Sequence, residues 1–298
     1  GTKTPQDSMI RRMKGPSGTK VKILVNRDGE KVSFDITRGK IPVHSVDASF
    51  MIDDKTGYIK LAKFSRTTYM EFVSAAKKLR ELGMTHLIFD LRSNTGGYFD
   101  QALLISNELL SGGAGIVYME GRNRKREQYN ADGNGMLQDL ELTVLIDERS
   151  ASSSETVAGA IQDNDRGTVI GRRSYGKGLV QEPIYFTDGS GLRLTVARFH
   201  TPSGRCIQKP YDKSMEYAYD IVERYRHGEL VSADSMKVDT TAVYYTANGR
   251  KVYGGGGIIP DVFVPLDTTR ATNFYVQCNR KATSMRFASS MFDKYKSR

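Results

Sequence analysis

Hydrophobic and polar positions change period several times along this chain, and each change marks an expected element. Residues 7–14 pattern as a short amphipathic helix. Two β-type runs follow, 20–26 and 31–37, joined by Arg27-Asp28-Gly29, a hairpin signal. This unit closes near Lys40-Ile41-Pro42. It is too short to hold a core of its own and reads as the tail end of a small β-rich domain. From Val46 the pattern shifts. Residues 57–64 read as a strand. Tyr69, Phe72, Val73, Ala76 and Leu79 then recur at helical spacing. Thr68 and Glu71 are spaced as a capping box at the start of that helix, and Gly83 stops it. Residues 86–91 form a short, mostly apolar run, as in a buried strand. A helix is expected over 100–110, strands over 116–120 and 140–146, a helix over 152–162 and a strand over 168–170. This alternation predicts an α/β core. Runs 179–186 and 192–199 flank Asp188-Gly189-Ser190-Gly191, a second hairpin. Residues 212–227 look helical, and the last thirty are polar and weakly patterned.

Composition narrows the picture. The 298 residues suit one large domain or two smaller ones. No run of 18 apolar residues occurs, so no membrane-spanning helix is expected. The opening GTKTPQDSMIRRMKG has no apolar signal core, and any export signal is expected outside this chain. The net charge of +10 raises nucleic acid as a partner. Its densest cluster, Arg122, Arg124, Lys125 and Arg126, is short and carries no interleaved aromatics, so it reads as a solvated loop and no nucleic-acid site is expected. Cys206 and Cys278 are expected to be unpaired thiols. Zinc-type Cys/His spacing and HExxH are absent, so no zinc site is expected.

Three segments carry candidate chemistry. Ser150-Ala151-Ser152-Ser153-Ser154-Glu155 lies where a strand hands over to a helix. A serine on such a turn is exposed on a rigid edge, and the N–H after it can face a developing oxyanion. The same residues also suit a serine-rich helix cap. In Tyr175-Gly176-Lys177-Gly178, glycines let the backbone approach other groups closely. A lysine desolvated there becomes neutral and can take a proton from serine, though the segment also reads as a basic turn. Asp90-Leu91-Arg92-Ser93-Asn94-Thr95-Gly96-Gly97 follows a buried strand, at the edge where ligands collect in α/β sheets. Its glycines can offer free N–H groups. Gln181, four residues after Lys177, can orient an amine.

Together these segments resemble the C-terminal processing peptidases, or tail-specific proteases. The likeness rests on SASSSETVAGAIQDNDRGTVIGRRSYGKGLVQ (150–181), FDLRSNTGG (89–97), DGSGLRLTVARFHTPSGRCIQ (188–208) and GGGGIIPD (254–261). GPSGTKVKILVNRDGEKVSFDITRGKIPV (15–43) resembles the last strands of a PDZ domain. The resemblance implies a ClpP/crotonase-like α/β peptidase core over 41–267, a partial PDZ-like segment over 1–40 and a C-terminal extension over 268–298. It implies a serine endopeptidase that cuts protein C-terminal regions or unfolded proteins. Ser152 would be the nucleophile and Lys177 the general base, assisted by Gln181, with an acyl-enzyme intermediate and no metal or organic cofactor. The oxyanion would be held by the N–H of Ser153 and by Gly96 or Gly97, a choice the sequence leaves open. Ser153 stands where alanine is common in the family. Asp163 fits the pattern and reads as structural, capping or pairing locally. Substrates would bind as extended strands, a homo-oligomer is compatible, and the place of action would be the periplasm or cell envelope of a bacterium. Three rivals remain: a catalytically silent peptide-binding scaffold on the same fold, an acyl-CoA enzyme of the crotonase type, and a charge-driven nucleic-acid binder.

Overall fold

The computed structural model describes residues 5–27, 29–40, 44–210, 214–269 and 271–295; of the side chains within helices, those of residues 214–216, 218 and 293 are not described. Asp28 of the expected first turn, and residues 41–43 at the expected domain boundary, lie outside the described residues. The chain divides into two compact units, 1–44 and 45–298.

The first unit holds α1 (Gln6–Met13) and the antiparallel hairpin β1 (Lys20–Arg27) and β2 (Glu30–Thr37). None of its described residues is buried, as follows from too few residues to enclose a core. Arg38 knits it together instead. Its guanidinium donates to the carbonyls of Met13 (2.8 Å), Arg12 (3.1 Å) and Lys20 (3.1 Å), and to Thr19 Oγ1 (2.9 Å).

The second unit is mixed α/β. Its strands are β3 (Val46–Met51), β4 (Thr56–Leu61), β5 (His86–Asp90), β6 (Gly115–Gly121), β7 (Arg124–Asn130), β8 (Glu141–Ile146), β9 (Thr168–Gly171), β10 (Leu179–Tyr185), β11 (Gly191–His200), β12 (Val243–Tyr245), β13 (Lys251–Tyr253) and β14 (Val262–Phe263). Its helices are α2 (Thr68–Glu81), α3 (Phe99–Leu109), α4 (Ser153–Asp163), α5 (Ser214–Arg226), α6 (Asn273–Arg280) and α7 (Thr283–Tyr295). A six-stranded sheet runs β14-β9-β8-β5-β4-β3. Its members pair in parallel except β3, which is antiparallel on the edge. A four-stranded antiparallel sheet runs β10-β11-β6-β7. The core gathers Ile59, Leu61, Leu87, Phe89, Val144 and Val169 from the sheet with Phe72, Leu79, Ile105, Leu109, Val157 and Ile161 from the helices. Each such side chain contributes about 1.5–3 kcal/mol by leaving water.

α4 is buried along its whole length. That explains its small residues: a Cβ on Gly159 would stand 2.7 Å from Thr201 Cγ2 and 3.1 Å from Ile258 Cδ1.

Several expectations change. The basic cluster at 122–126 is a loop only at Arg122, in the turn after β6; β7 begins at Arg124, and Arg124 pairs with Glu182 (2.5 Å) while Arg126 stacks on Tyr118. β3 was not foreseen as a strand. The Thr68–Glu71 capping box does not form. Thr67 holds the N-cap position, and the Glu71 carboxylate accepts the N–H groups of Ser45 (2.7 Å) and Val46 (3.2 Å). The weakly patterned C-terminal stretch contains α6 and α7. Their apolar side chains, Phe274, Met285, Phe287 and Phe292 among them, are exposed. Cys206 and Cys278 are free thiols.

Candidate active site

Three neighbouring parallel strands bring the candidate segments together. β5, β8 and β9 lie side by side in one sheet and run the same way. Their following segments, 91–97, 147–152 and 172–178, therefore leave the same edge, where ligands collect in such sheets.

Asp147, directly after β8, fixes the first junction. Its carboxylate accepts the N–H of Ser93 (2.8 Å), Arg149 (3.0 Å) and Ser150 (3.1 Å). Ser150 Oγ donates to the Leu91 carbonyl at 2.8 Å, and the N–H of Ala151 donates to Asn94 O at 2.9 Å. These bonds hold Ser152 at φ 56°, ψ −114°. A non-glycine residue in that region is strained by about 1–3 kcal/mol and persists only where its surroundings over-determine it. Such strain is what a strand–turn–helix nucleophile turn imposes. Ser152 is half-buried, at the N-terminus of α4.

The buried Glu155 carboxylate links this turn to the lysine loop. Its Oε2 accepts the N–H of Ser152 (2.8 Å) and of Lys177 (2.8 Å). Its Oε1 accepts the Ser174 hydroxyl (2.6 Å) and the N–H of Gly176 (2.6 Å). Ser174 Oγ itself accepts the Ile258 N–H at 2.6 Å, so it must donate to Glu155. Burial pushes the Glu155 carboxyl above its usual range, against the pull of these bonds. All four partners are donors, however, and they can be satisfied together only by an ionised carboxylate. Glu155 was missed as a site residue in the sequence. Its signal was there, because it stands three residues after Ser152 in the S-x-x-E spacing.

Gly176 and Gly178 are needed where they stand. Gly176 has φ +85°, and a Cβ on Gly178 would lie 2.7 Å from Gln208 N. Lys177 between them is exposed, so the desolvation expected for a neutral amine is not present here. Among the described residues no hydrogen bond joins Lys177 Nζ to Ser152 Oγ or to Gln181. Gln181 is exposed on β10 and follows an irregularity in the β10–β11 register between Val180 and Gln181.

The two glycine candidates differ. The Gly96 N–H is taken by Asn94 Oδ1 at 2.9 Å, and its carbonyl accepts Phe64 N–H at 3.0 Å. The Gly97 N–H has no acceptor among the described residues, and Gly97 is exposed. The Ser153 N–H, at the first turn of α4, likewise has none. The Ser153 hydroxyl donates to the Gly97 carbonyl at 3.2 Å and so ties the glycine loop to the serine turn. Gly96 lies directly against the serine: a Cβ on it would stand 2.8 Å from Ser152 Cβ.

Asp163 ends α4 and forms a buried ion pair with Arg205, and it accepts Ser203 N–H at 3.0 Å. These partners lie about forty residues away, so the pairing is not the local one expected. Among the described residues no group of three or more His, Cys, Asp or Glu is placed to hold a metal ion, and no helix is long and apolar enough to cross a membrane.

Residues 55–216 match the model of peptidase family S41, and the chain belongs to that family. It is 37% identical over 210 residues to a carboxyl-terminal-processing protease of Synechocystis, covering 68% of this chain and 48% of the relative. It is 36% identical over 206 residues to a carboxy-terminal-processing protease of Bartonella bacilliformis, covering 67% and 47%. The chain thus spans about half the length of these relatives. Among solved structures it resembles the photosystem II D1 C-terminal processing protease, with a TM-score of 0.54, 25% identity, and coverage of 84% of this chain and 57% of that one.

Proposed function

We propose that this chain carries the catalytic core of a serine endopeptidase of the C-terminal processing type. Ser152 is the nucleophile, Lys177 the general base, and Gln181 its assistant. The N–H groups of Ser153 and Gly97 hold the oxyanion, each worth about 3–4 kcal/mol in serine peptidases at large. The observation that carries this reading is the shared Glu155 carboxylate, which fixes the backbones of Ser152 and Lys177 against each other. Lys177 takes the Ser152 proton as the hydroxyl attacks a peptide carbonyl, and then protonates the leaving amine. Water clears the acyl-enzyme. Because Lys177 is exposed in the free chain, a bound substrate that covers it would supply the desolvation that favours the neutral amine.

The substrates proposed are protein C-terminal regions or unfolded proteins bound as extended strands. The first unit serves as part of a PDZ-like domain, and the site of action is the bacterial envelope. The core is read as ClpP/crotonase-like. The exposed Lys177, unbonded to Ser152, also favours a second reading, a catalytically silent peptide-binding module on the same fold.

Incubation with casein, read by mass spectrometry, separates the two. Cleavage by the parent that is lost in Ser152→Ala and in Lys177→Ala supports the peptidase. Cleavage that survives Lys177→Ala removes the proposed base. No cleavage by folded parent, alone or joined to a complete PDZ domain, supports the silent module.

A further inference from the structure

The segment that bears Lys177 is held from behind by residues beyond the family match, which ends at 216. Arg224, on α5, is only 5% exposed in its side chain. Its Nη1 donates to the Ser174 carbonyl at 3.0 Å and its Nη2 to the Arg173 carbonyl at 2.5 Å. Its Nε donates to Glu229 at 2.9 Å. Glu229 in turn takes both Nε and Nη2 of Arg173, each at 2.7 Å. Beside this cluster Lys209 pairs with Asp220 at 3.0 Å, lies 3.9 Å from the Tyr175 ring centroid, and donates its N–H to the Gly176 carbonyl at 3.1 Å.

Three buried or half-buried cations, Arg173, Arg224 and Lys209, thus face two carboxylates, Glu229 and Asp220. The excess positive charge is met by backbone carbonyls of the lysine segment. A planar guanidinium reaches two adjacent carbonyls at once, which a lysine ammonium in its place cannot reproduce. The same short segment is therefore held through both kinds of backbone group: Glu155 takes its N–H groups at Gly176 and Lys177, and Arg224 takes its carbonyls at Arg173 and Ser174.

We infer that Arg224 is a positioning residue for Lys177, acting through the carbonyls of Arg173 and Ser174, with Glu229 holding the guanidinium in register. Its consequence for catalysis rests on the proposed role of Lys177; its hold on the segment does not. The test compares the whole chain with Arg224→Ala and Arg224→Lys at a temperature where all three give the same far-ultraviolet circular dichroism. Two quantities are read: amide hydrogen exchange in peptides covering 173–178, with β5 as internal reference, and steady-state cleavage of one peptide substrate.

For Arg224→Ala, exchange in 173–178 is expected to quicken about tenfold or more while β5 stays unchanged, and kcat to fall about 10–100-fold with KM within about threefold. Arg224→Lys is expected to fall between alanine and the parent. If Arg224→Ala does not fold, Arg224→Lys decides by the same readouts. Unchanged exchange in 173–178, or exchange that rises equally in β5, overturns the inference. So does a parent-like kcat in Arg224→Ala, where cleavage by the parent depends on Ser152 and Lys177. If the parent does not cleave at all, the peptidase reading fails separately and the exchange data alone decide whether Arg224 holds the segment.

Discussion

The backbone N–H groups of Ser152 and Lys177 share one acceptor, Oε2 of Glu155, each at 2.8 Å. Twenty-five residues separate them in the chain, and a single buried carboxylate sets the distance between their backbones. Replacing Glu155 by glutamine keeps the volume but turns one acceptor oxygen into a donor. Whichever way the amide is turned, one pair of donors loses its acceptor: Ser174 Oγ and Gly176 N–H, or Ser152 and Lys177 N–H. Glu155→Gln is therefore expected to lower kcat about 100-fold, the scale of a 1 Å misplacement, while the chain stays folded. Peptide cleavage alongside circular dichroism checks this, and parent-like turnover would show that the shared acceptor is dispensable.

The glycine loop makes a steric prediction. A Cβ on Gly97 would stand 2.0 Å from the Phe64 carbonyl oxygen, at φ +150°. Gly97→Ala must push the loop off Phe64 and so shift the Gly97 N–H, and it is expected to abolish labelling of Ser152 by a fluorophosphonate. Ser153→Ala removes the 3.2 Å bond to the Gly97 carbonyl and the longer 3.5 Å contact with the Tyr98 carbonyl, a loss of about 0.5–1.5 kcal/mol, and leaves the backbone N–H in place. Labelling within a few-fold of the parent is expected there. Equal labelling of the parent and Gly97→Ala would count against this loop as part of the site.

Asp163 and Arg205 form an ion pair in which both side chains are almost wholly buried. Removing one partner leaves the other charge buried and uncompensated, at a cost of about 3–5 kcal/mol. Asp163→Ala is expected to lower the urea midpoint accordingly. A midpoint shift equivalent to less than about 1 kcal/mol would mean that the pair is not formed in solution.

Asp90 ends β5 with its carboxylate buried among Arg92 (2.7 Å), Tyr58 (2.6 Å) and Lys60 (3.4 Å). Burial alone would raise its pKa, but the bonds from Arg92 and Tyr58 outweigh it and hold the carboxyl below its ordinary value. The Tyr58 phenol is pushed up to about 12 by burial and by the same bond. A carboxylate with a depressed folded pKa stabilises the fold above its unfolded pKa and loses that contribution as pH falls through the folded value. Asp90→Asn is therefore expected to cost about 1–3 kcal/mol at neutral pH, and the gap to the parent to shrink as pH drops below about 4. Urea unfolding across pH 2–7 measures it; a gap independent of pH would remove the charge from the explanation.

What the sequence determined by itself was local. The periods of α2, β5, β8 and the β10–β11 hairpin are written in adjacent residues, because burial repeats within a few positions along each element. The serine turn, the glycine loop and the lysine segment were likewise legible as short stretches, and the resemblance they carry leads to the family the chain belongs to. What only the tertiary structure decided was which groups meet across long stretches of chain. The Glu71 carboxylate left its expected cap for Ser45 and Val46 because β3 runs beside α2. Glu155 reached from one turn to another, and Arg224 reached back some fifty residues to the carbonyls of Arg173 and Ser174. The reach of Glu155 depends on the parallel strands β8 and β9 ending at one edge, and that of Glu71 on the antiparallel edge strand β3. A carboxylate, an amide or a guanidinium carries no record in the sequence of which distant partner the fold will bring within about 3 Å.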